Sequence, residues 1–165
     1  MKIKLDKPND RIYSKNNRTY RIHNMVISPS FKTTDKINEK LSRVGNLASD
    51  GRPILGLDAA ELARIVFDID ENCMIVPAHI YTPWFSLFGA MSGFDKIEDC
   101  FEEQTPKIFA LETGLSSDPA LNWRLSALDK FTLISNSDAH SPSKIGREAN
   151  VFNCELDYKT IREVL

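Results

Sequence analysis

Cysteine is scarce in this chain. Three occur in 165 residues, Cys73, Cys100 and Cys154, far apart and without a Cys-x-x-Cys spacing. That excludes a disulfide framework and a cysteine zinc knuckle, and it points to a reducing, cytoplasmic location. The charged N-terminus has no apolar stretch of the kind a signal peptide needs. No internal repeat and no low-complexity segment occurs. One long stretch, Asn72 to Phe94, lacks Asp, Glu, Lys and Arg. Pro77, His79, Pro83, Gly89 and Gly93 interrupt it, so it reads as a buried strand running into an uncharged loop, not as a membrane span. No Gly-x-Ser-x-Gly elbow accompanies Ser135, Ser137 and His140, which argues against a serine nucleophile. Gly89 and Gly93 do not follow a strand in the manner of a phosphate-cradling loop.

What remains is an ordinary globular composition, 42% hydrophobic and 27% charged. At this length a single domain can bury roughly 70% of its unfolded surface. The net charge is −2, unevenly spread: residues 1–21 carry seven basic and two acidic side chains, and the rest is acidic in balance. A basic arm of this kind suits phosphates, or else a solvated edge strand.

The pattern of apolar residues gives strands alternating with helices. Thr19 to Ser28 reads as a buried strand ending at Pro29. A helix from Thr33 to Val44 follows, capped by Thr34 or Asp35 and stopped at Gly45. Asp58, with Glu61 three residues on, opens a second helix to about Ile69. Then come a strand over Met74–His79, an acidic helix over Asp95–Glu103, a strand over Ile108–Glu112, and a helix over Asp118–Leu128. A strand over Phe131–Ser135 precedes a polar loop, a last strand near Asn150–Asn153 and a helix from about Tyr158. This rhythm predicts an α/β fold with a mainly parallel sheet.

Polar residues at the carboxyl ends of such strands face the active site. Here these are His79, Glu112 and Asp138 with His140, while His23 sits inside the first strand. Asp138 and His140 are two residues apart, so a strand leaving in extended form would aim both at one ion. Mixed nitrogen and oxygen ligands suit zinc, manganese or iron rather than calcium. Each residue also has a plainer reading: His23 as a hydrogen-bonded core histidine, His79 as a strand end, Glu112 as a cap on the Gly114 and Leu115 amides. The segment Pro83-Trp84-Phe85-Ser86-Leu87-Phe88 fits either a core or a base-stacking surface.

Several longer segments resemble the endonuclease Q family, a branch of the PHP (polymerase and histidinol phosphatase) superfamily. They include Arg21-Ile22-His23-Asn24, Pro77-Ala78-His79-Ile80-Tyr81-Thr82-Pro83-Trp84-Phe85, Ala110-Leu111-Glu112-Thr113-Gly114-Leu115-Ser116-Ser117-Asp118-Pro119 and Ser135-Asn136-Ser137-Asp138-Ala139-His140. The resemblance runs from about Ile12 to the end. It implies the C-terminal part of a distorted (β/α)7 barrel, with residues 1–165 forming a partial PHP domain. It also implies divalent metal ions (Zn, Mn, Mg or Fe) held by His23, His79, Asp138 and His140, with Glu112 in support. The last pair and His79 would then be catalytic. Trp84, Phe85, Arg124, Lys144 and Arg147 become candidates for DNA contact.

The activity implied is nicking of DNA 5′ of a deaminated base or an abasic site, with such DNA as partner and no membrane. The family's first-motif His-x-His, its second-motif histidine and bridging glutamate, and its cysteine-rich zinc module have no counterpart here. The expectation is therefore weak metal binding, little activity in isolation, and self-association through an exposed sheet edge. Two rival readings are a PHP-type phosphoesterase acting on a small phosphate ester and a non-catalytic remnant.

Overall fold

The computed structural model describes residues 2–4, 14–15, 18–48 and 55–165. Strands β1 (Lys2–Lys4), β2 (Ser14–Lys15), β3 (Arg18–Thr19) and β4 (His23–Ile27) come first, then helices α1 (Phe31–Ser42) and α2 (Ala59–Ile69). They are followed by β5 (Met74–Pro77), α3 (Ile97–Phe101), β6 (Ala110–Glu112), α4 (Pro119–Asn122), β7 (Thr132–Ile134) and α5 (Tyr158–Val164). The fold is α/β, as the alternation predicts.

The sheets depart from the mainly parallel arrangement expected. β1, β4 and β5 form an antiparallel sheet, β2 and β3 an antiparallel pair, and β6 with β7 a parallel pair. No barrel closes among the described residues. The cause is parity. One crossover helix returns the chain to run parallel, but two helices separate β4 from β5, carry the chain across the layer twice, and leave β5 running antiparallel. β5 then lies alongside β6, with the Ile80 amide donating to the Glu112 carbonyl at 3.0 Å. The flank of β4 expected to be bare is covered by β1. That strand is three residues long.

Helix boundaries follow local chemistry. Ser30, rather than Thr34 or Asp35, caps α1 by accepting from the Thr33 amide at 3.1 Å. Thr33, Ile37 and Leu41 form its buried stripe, while Val44 lies beyond the helix and is exposed. Asp58 caps α2 through the Glu61 amide at 2.6 Å, but the Glu61 carboxylate turns to Arg64, so the reciprocal half of the capping box is not made. The predicted helix over 118–128 is only α4 followed by a 3-10 turn at Ser126–Leu128. No strand forms at Asn150–Asn153. Instead the Asn150 side chain accepts from the Ser135 amide at 2.8 Å and donates to its carbonyl at 2.9 Å, doing for β7's end what a neighbouring strand would do.

The main core lies between the β4–β5 sheet and the helices, built from Ile22, Val26, Ile37, Leu41, Leu62, Val66, Ile75 and Phe101. Period-two alternation along β4 puts Ile22 and Val26 into that core and turns His23 and Met25 to the opposite face. Cys73 and Cys100 are buried, and burial pushes the Cys73 thiol up to about 11. Among the described residues no helix is long and apolar enough to cross a membrane.

Helix α5 is docked by Tyr158, whose hydroxyl donates to the carbonyls of Asn72 at 2.6 Å and Ile27 at 3.2 Å. Burial raises its phenol from 10.0 to about 12. The neutral form is the one the folded state favours, so this contribution is complete below the unfolded value and is lost as pH rises through about 12. Tyr158→Phe is expected to lower stability by about 1 kcal/mol at neutral pH. It should also flatten the loss of stability above pH 10, as measured by denaturant unfolding across an alkaline pH series; an unchanged profile would count against this docking role.

Candidate functional site

The site begins with a buried carboxylate. Glu112 ends β6 at 2% exposure, and its two oxygens accept from three backbone amides. Oε2 takes the His79 amide at a very close approach, while Oε1 takes Gly114 at 3.1 Å and Asn136 at 3.0 Å. Glu112 therefore caps Gly114, one of the two amides the loop reading names, and also reaches the segments leaving β5 and β7. Three strand ends are tied to one side chain.

His79 is the residue this knot places most tightly. Its backbone lies in the left-handed region, with φ 37°. Gly114, at φ 60°, passes so close that an added Cβ would stand 2.7 Å from the His79 Cβ, so glycine is required there both for its conformation and for space. Among the described residues four non-glycines have positive φ, and three of them, His79, Phe85 and Asp138, lie in the site foreseen from sequence. Such strain collects where function holds a side chain in place.

Antiparallel pairing sets His23, at the start of β4, beside His79, just past the end of β5. His23 Nδ1 and His79 Nε2 are 2.9 Å apart, with ring planes 67° apart. One assignment of protons satisfies these contacts. The Thr82 hydroxyl has one proton, carbonyls can only accept, and the Trp84 carbonyl lies 2.8 Å from it. The His79 Nδ1, 2.9 Å from the same hydroxyl, is then the donor to Thr82, and Nε2 carries the lone pair toward His23. An imidazole whose second nitrogen donates to a protein acceptor is the state in which histidine ligates metals. Were the His23 proton on Nε2, both facing nitrogens would offer lone pairs. The donor chemistry thus fits a divalent metal.

Asp138 and His140 sit in a different geometry from the extended strand expected. β7 ends at Ile134, and Asp138 has φ 43°, so the i, i+2 alternation does not extend to them. His140 folds back instead, its Nδ1 donating to the Asp138 carbonyl at 2.8 Å, which again leaves Nε2 as the lone-pair nitrogen of the neutral ring. The loop is held by Ser137, which accepts from the Gly146 amide at 2.8 Å and donates to the Glu148 carbonyl at 3.0 Å. Arg147 braces it through Nε to the Ser137 carbonyl at 2.7 Å. Among the described residues no three His, Cys, Asp or Glu side chains gather closely enough to hold one ion. The structure therefore brings His23 and His79 together, with Asp138 and His140 on the loop after β7.

The aromatic loop is divided in its roles. Phe85 stacks on His23, ring centroids 5.1 Å apart, and its carbonyl accepts the His23 amide at 3.0 Å. Trp84 is 45% exposed. Arg124 and Lys144 are exposed. Sequence reasoning passes over Thr82 and Arg21. Thr82 lies three residues after His79, a spacing at which a hydroxyl can turn back to a ring, and Arg21 lies two before His23 on the same face of an extended segment.

No family model matches the chain. Over 134 residues, 78% of its length, it is 33% identical to the uncharacterized protein YqxK of Bacillus subtilis. Over 80 residues, 47% of its length, it is 39% identical to the uncharacterized protein MJ0043 of Methanocaldococcus jannaschii. Those matches cover 32% and 9% of the respective relatives. Among solved structures it superposes on the lesion-specific endonuclease PfuEndoQ of Pyrococcus furiosus with a TM-score of 0.77 and 34% identity. A complex of endonuclease Q with a 27-mer duplex bearing an abasic lesion at its active site gives 0.73 and 31%. Both superpositions cover 86% of this chain and 35% of the neighbour, so the chain spans about a third of the length of those it matches. Its structural neighbours are thus lesion-specific nucleases.

Removing the Glu112 carboxylate should undo the site before the core. Glu112→Gln turns an amide donor toward backbone donors and is expected to lower stability by about 2–4 kcal/mol, since buried N–H groups lose charged acceptors. Gly114→Ala should act mainly by displacing His79. Thermal unfolding of both variants checks this; a Glu112→Gln loss below about 0.5 kcal/mol would remove Glu112 from this role.

Proposed function

We propose that this chain is part of a PHP-type, metal-dependent DNA endonuclease that nicks DNA 5′ of a deaminated base or an abasic site. The supporting observation is the coincidence of two things: the facing imidazoles of His23 and His79 at the common end of β4 and β5, and the overlap of that framework with lesion-specific endonucleases at 34% identity. His23, His79, Asp138 and His140 would hold divalent metal, with zinc, manganese, magnesium or iron suited to these donors. When bound, such an ion supplies Lewis-acid charge at a phosphoryl oxygen and an acidified water.

The chain's own residues do the rest. Thr82 and the Glu112-held backbone orient His79, and the fold-back onto the Asp138 carbonyl orients His140. Trp84, the exposed ring of the loop, offers a flat face for an unpaired base, and Phe85 backs His23. Arg124 and Lys144 are available to the phosphate backbone, whereas Arg147 already braces its own loop through Nε.

Metal content by plasma mass spectrometry, on the wild-type chain beside His79→Ala and an Asp138→Ala/His140→Ala double variant, checks the first half. Zinc, manganese or iron should be bound by wild type and lost in both variants. Nicking of duplexes containing uracil, hypoxanthine or an abasic site, in excess Mn2+, checks the second. Slow cutting at the lesion, absent on undamaged duplex and reduced at least about a hundredfold in His79→Ala, is expected. Hydrolysis of an aryl phosphate without DNA nicking would replace this reading with a small-ester phosphoesterase. Loss of neither metal nor activity in the variants would overturn the ligand assignment.

A further inference from the structure

The loop that leaves β6 carries apolar side chains the core does not use. Leu115, Leu121, Trp123 and Leu125 are 55%, 44%, 69% and 42% exposed. Apolar side chains scattered singly over a surface need no explanation, whereas four in one short loop do. Their position ties them to the candidate site. Leu115 and Leu121 line a cavity of about 490 Å3 together with Gly114 and Glu148. Gly114 is the residue pressed against His79, and the Glu148 carbonyl accepts from the Ser137 hydroxyl that holds the loop of Asp138 and His140. The two leucines therefore share a cavity with both halves of the site, and Trp123 follows two residues after Leu121.

Trp123 is presented on a firm mount. The Leu121 amide donates to the Asp118 carboxylate at 2.7 Å. Asn122 is fully buried, and its Nδ2 donates to the Asp118 carbonyl at 2.7 Å and to the Ser117 hydroxyl at 3.1 Å. The Trp123 amide donates to the Pro119 carbonyl at 2.9 Å, and Leu128 returns the chain to the core. The backbone beneath the indole thus has little freedom, and with only two side-chain torsions the ring loses little entropy on contact.

An indole held out to solvent beside a nuclease site is suited to a base face. In an intact duplex each base is covered by its neighbours, whereas at an abasic site the flanking bases and the unpaired base opposite are not. Aromatic stacking accepts whichever base is uncovered, because every base has a π-face. Side chains that enter such a gap also hold DNA open. Arg124, next in sequence and exposed, supplies a charge for the adjoining phosphate. We infer that Trp123 is a specificity-determining residue of this site: its indole stacks on a base that the lesion leaves uncovered, and so favours damaged over intact duplex. This rests on the DNA reading above and extends it to the loop after β6.

The test is binding rather than cutting. The chain has two tryptophans, so Trp84→Phe leaves Trp123 as the single indole fluorophore. Its emission is followed as a duplex with one tetrahydrofuran abasic site, or the undamaged counterpart, is added in EDTA. Fluorescence anisotropy of the same duplexes, labelled, compares the full chain with its Trp123→Ala and Trp123→Phe variants across a salt series. Val164→Ala, on α5, controls for loss of an exposed apolar side chain, since α5 docks on Asn72 and Ile27 at the strand ends opposite His23 and His79. Emission should be quenched by the abasic duplex and much less by the intact one. Trp123→Ala should weaken binding to the abasic duplex about tenfold and to the intact duplex less than about twofold, with the salt slope unchanged because no charge is lost. Trp123→Phe should keep most of the preference, since a ring remains. Should Trp84→Phe bind no duplex, the anisotropy comparison decides alone.

Binding of the abasic duplex by Trp123→Ala equal to that of Val164→Ala would overturn the inference and leave the DNA reading standing. Equal weakening on both duplexes, or emission unchanged when Trp84→Phe binds the abasic one, would overturn it too. So would sedimentation showing a wild-type dimer that Trp123→Ala dissolves, which assigns these side chains to a second copy of the chain. Wild-type protein that binds no duplex at low salt would overturn both.

Discussion

A single buried carboxylate organises everything described above. The chain leaves β5, β6 and β7 at the same end of the sheets, and each exit exposes backbone amides that neither strand pairing nor a helix satisfies. Glu112 takes one amide from each exit, at His79, Gly114 and Asn136. A neutral side chain of the same size would supply weaker acceptors, and an apolar one none. With the three exits joined, the turns beyond them have little freedom. His79 is held at an unfavourable φ, Gly114 is pressed against it, and Asn136 begins the loop that carries Asp138 and His140. The catalytic candidates are thus set by a residue both of whose oxygens accept from backbone amides.

The second constraint is directional. His23 lies at the entry to its strand and His79 at the exit of the next, which in a parallel sheet would put them at opposite ends. Two helices between β4 and β5 reverse the second strand and bring the residues face to face. The register then matters as much as the direction. Asn24 pairs with Pro77, so a shift of one residue would turn His23 into the helix-facing core and Ile22 toward the site. Apolar Ile22 and Val26 anchor that register, each buried in the main core on the face opposite His23.

Much of this is legible in the sequence, and what is not has a common reason. Asp58 before an apolar periodic run announces α2, and the strand-end positions of His79 and Glu112 are visible as polar residues closing apolar runs. The parity argument is also available, since both helices between β4 and β5 can be read from their spacing. Strand direction, however, belongs to no single segment. The same holds for the contact between Phe85 and His23, whose residues lie far apart in sequence, and for Asn150 standing in for a strand beside Ser135. Val151 and Phe152 look like strand residues because their propensity is local, but Val151 is 98% exposed and pairs with no strand among the described residues. Asp138 misleads in another way: the alternation argument assumes extended backbone, and four residues past β7 the chain has left it.

Net charge is a poor guide to whether such a site can meet a polyanion. The chain is acidic overall at −2, but screening at physiological salt limits each charge to a reach of about 8 Å, so the local set decides. Around the entry to β4 the described residues include two arginines lying over aromatic rings. Arg18 lies over Tyr20 at 5.5 Å, Tyr20 stacks on Phe94 at 3.8 Å, and Arg21 lies over Trp84 and Phe85. The Glu61, Asp68 and Glu39 carboxylates are paired with arginines on the exposed faces of α1 and α2. α1 begins past the far end of β4, and α2 packs on the sheet face opposite His23. Those ion pairs lie on helix faces, whereas Arg18 and Arg21 stand over aromatic rings at the sheet end. The aromatic loop supplies the ring faces at that end of the sheet, with the Arg21 guanidinium carbon 5.5 Å from the Trp84 centroid and 5.6 Å from that of Phe85.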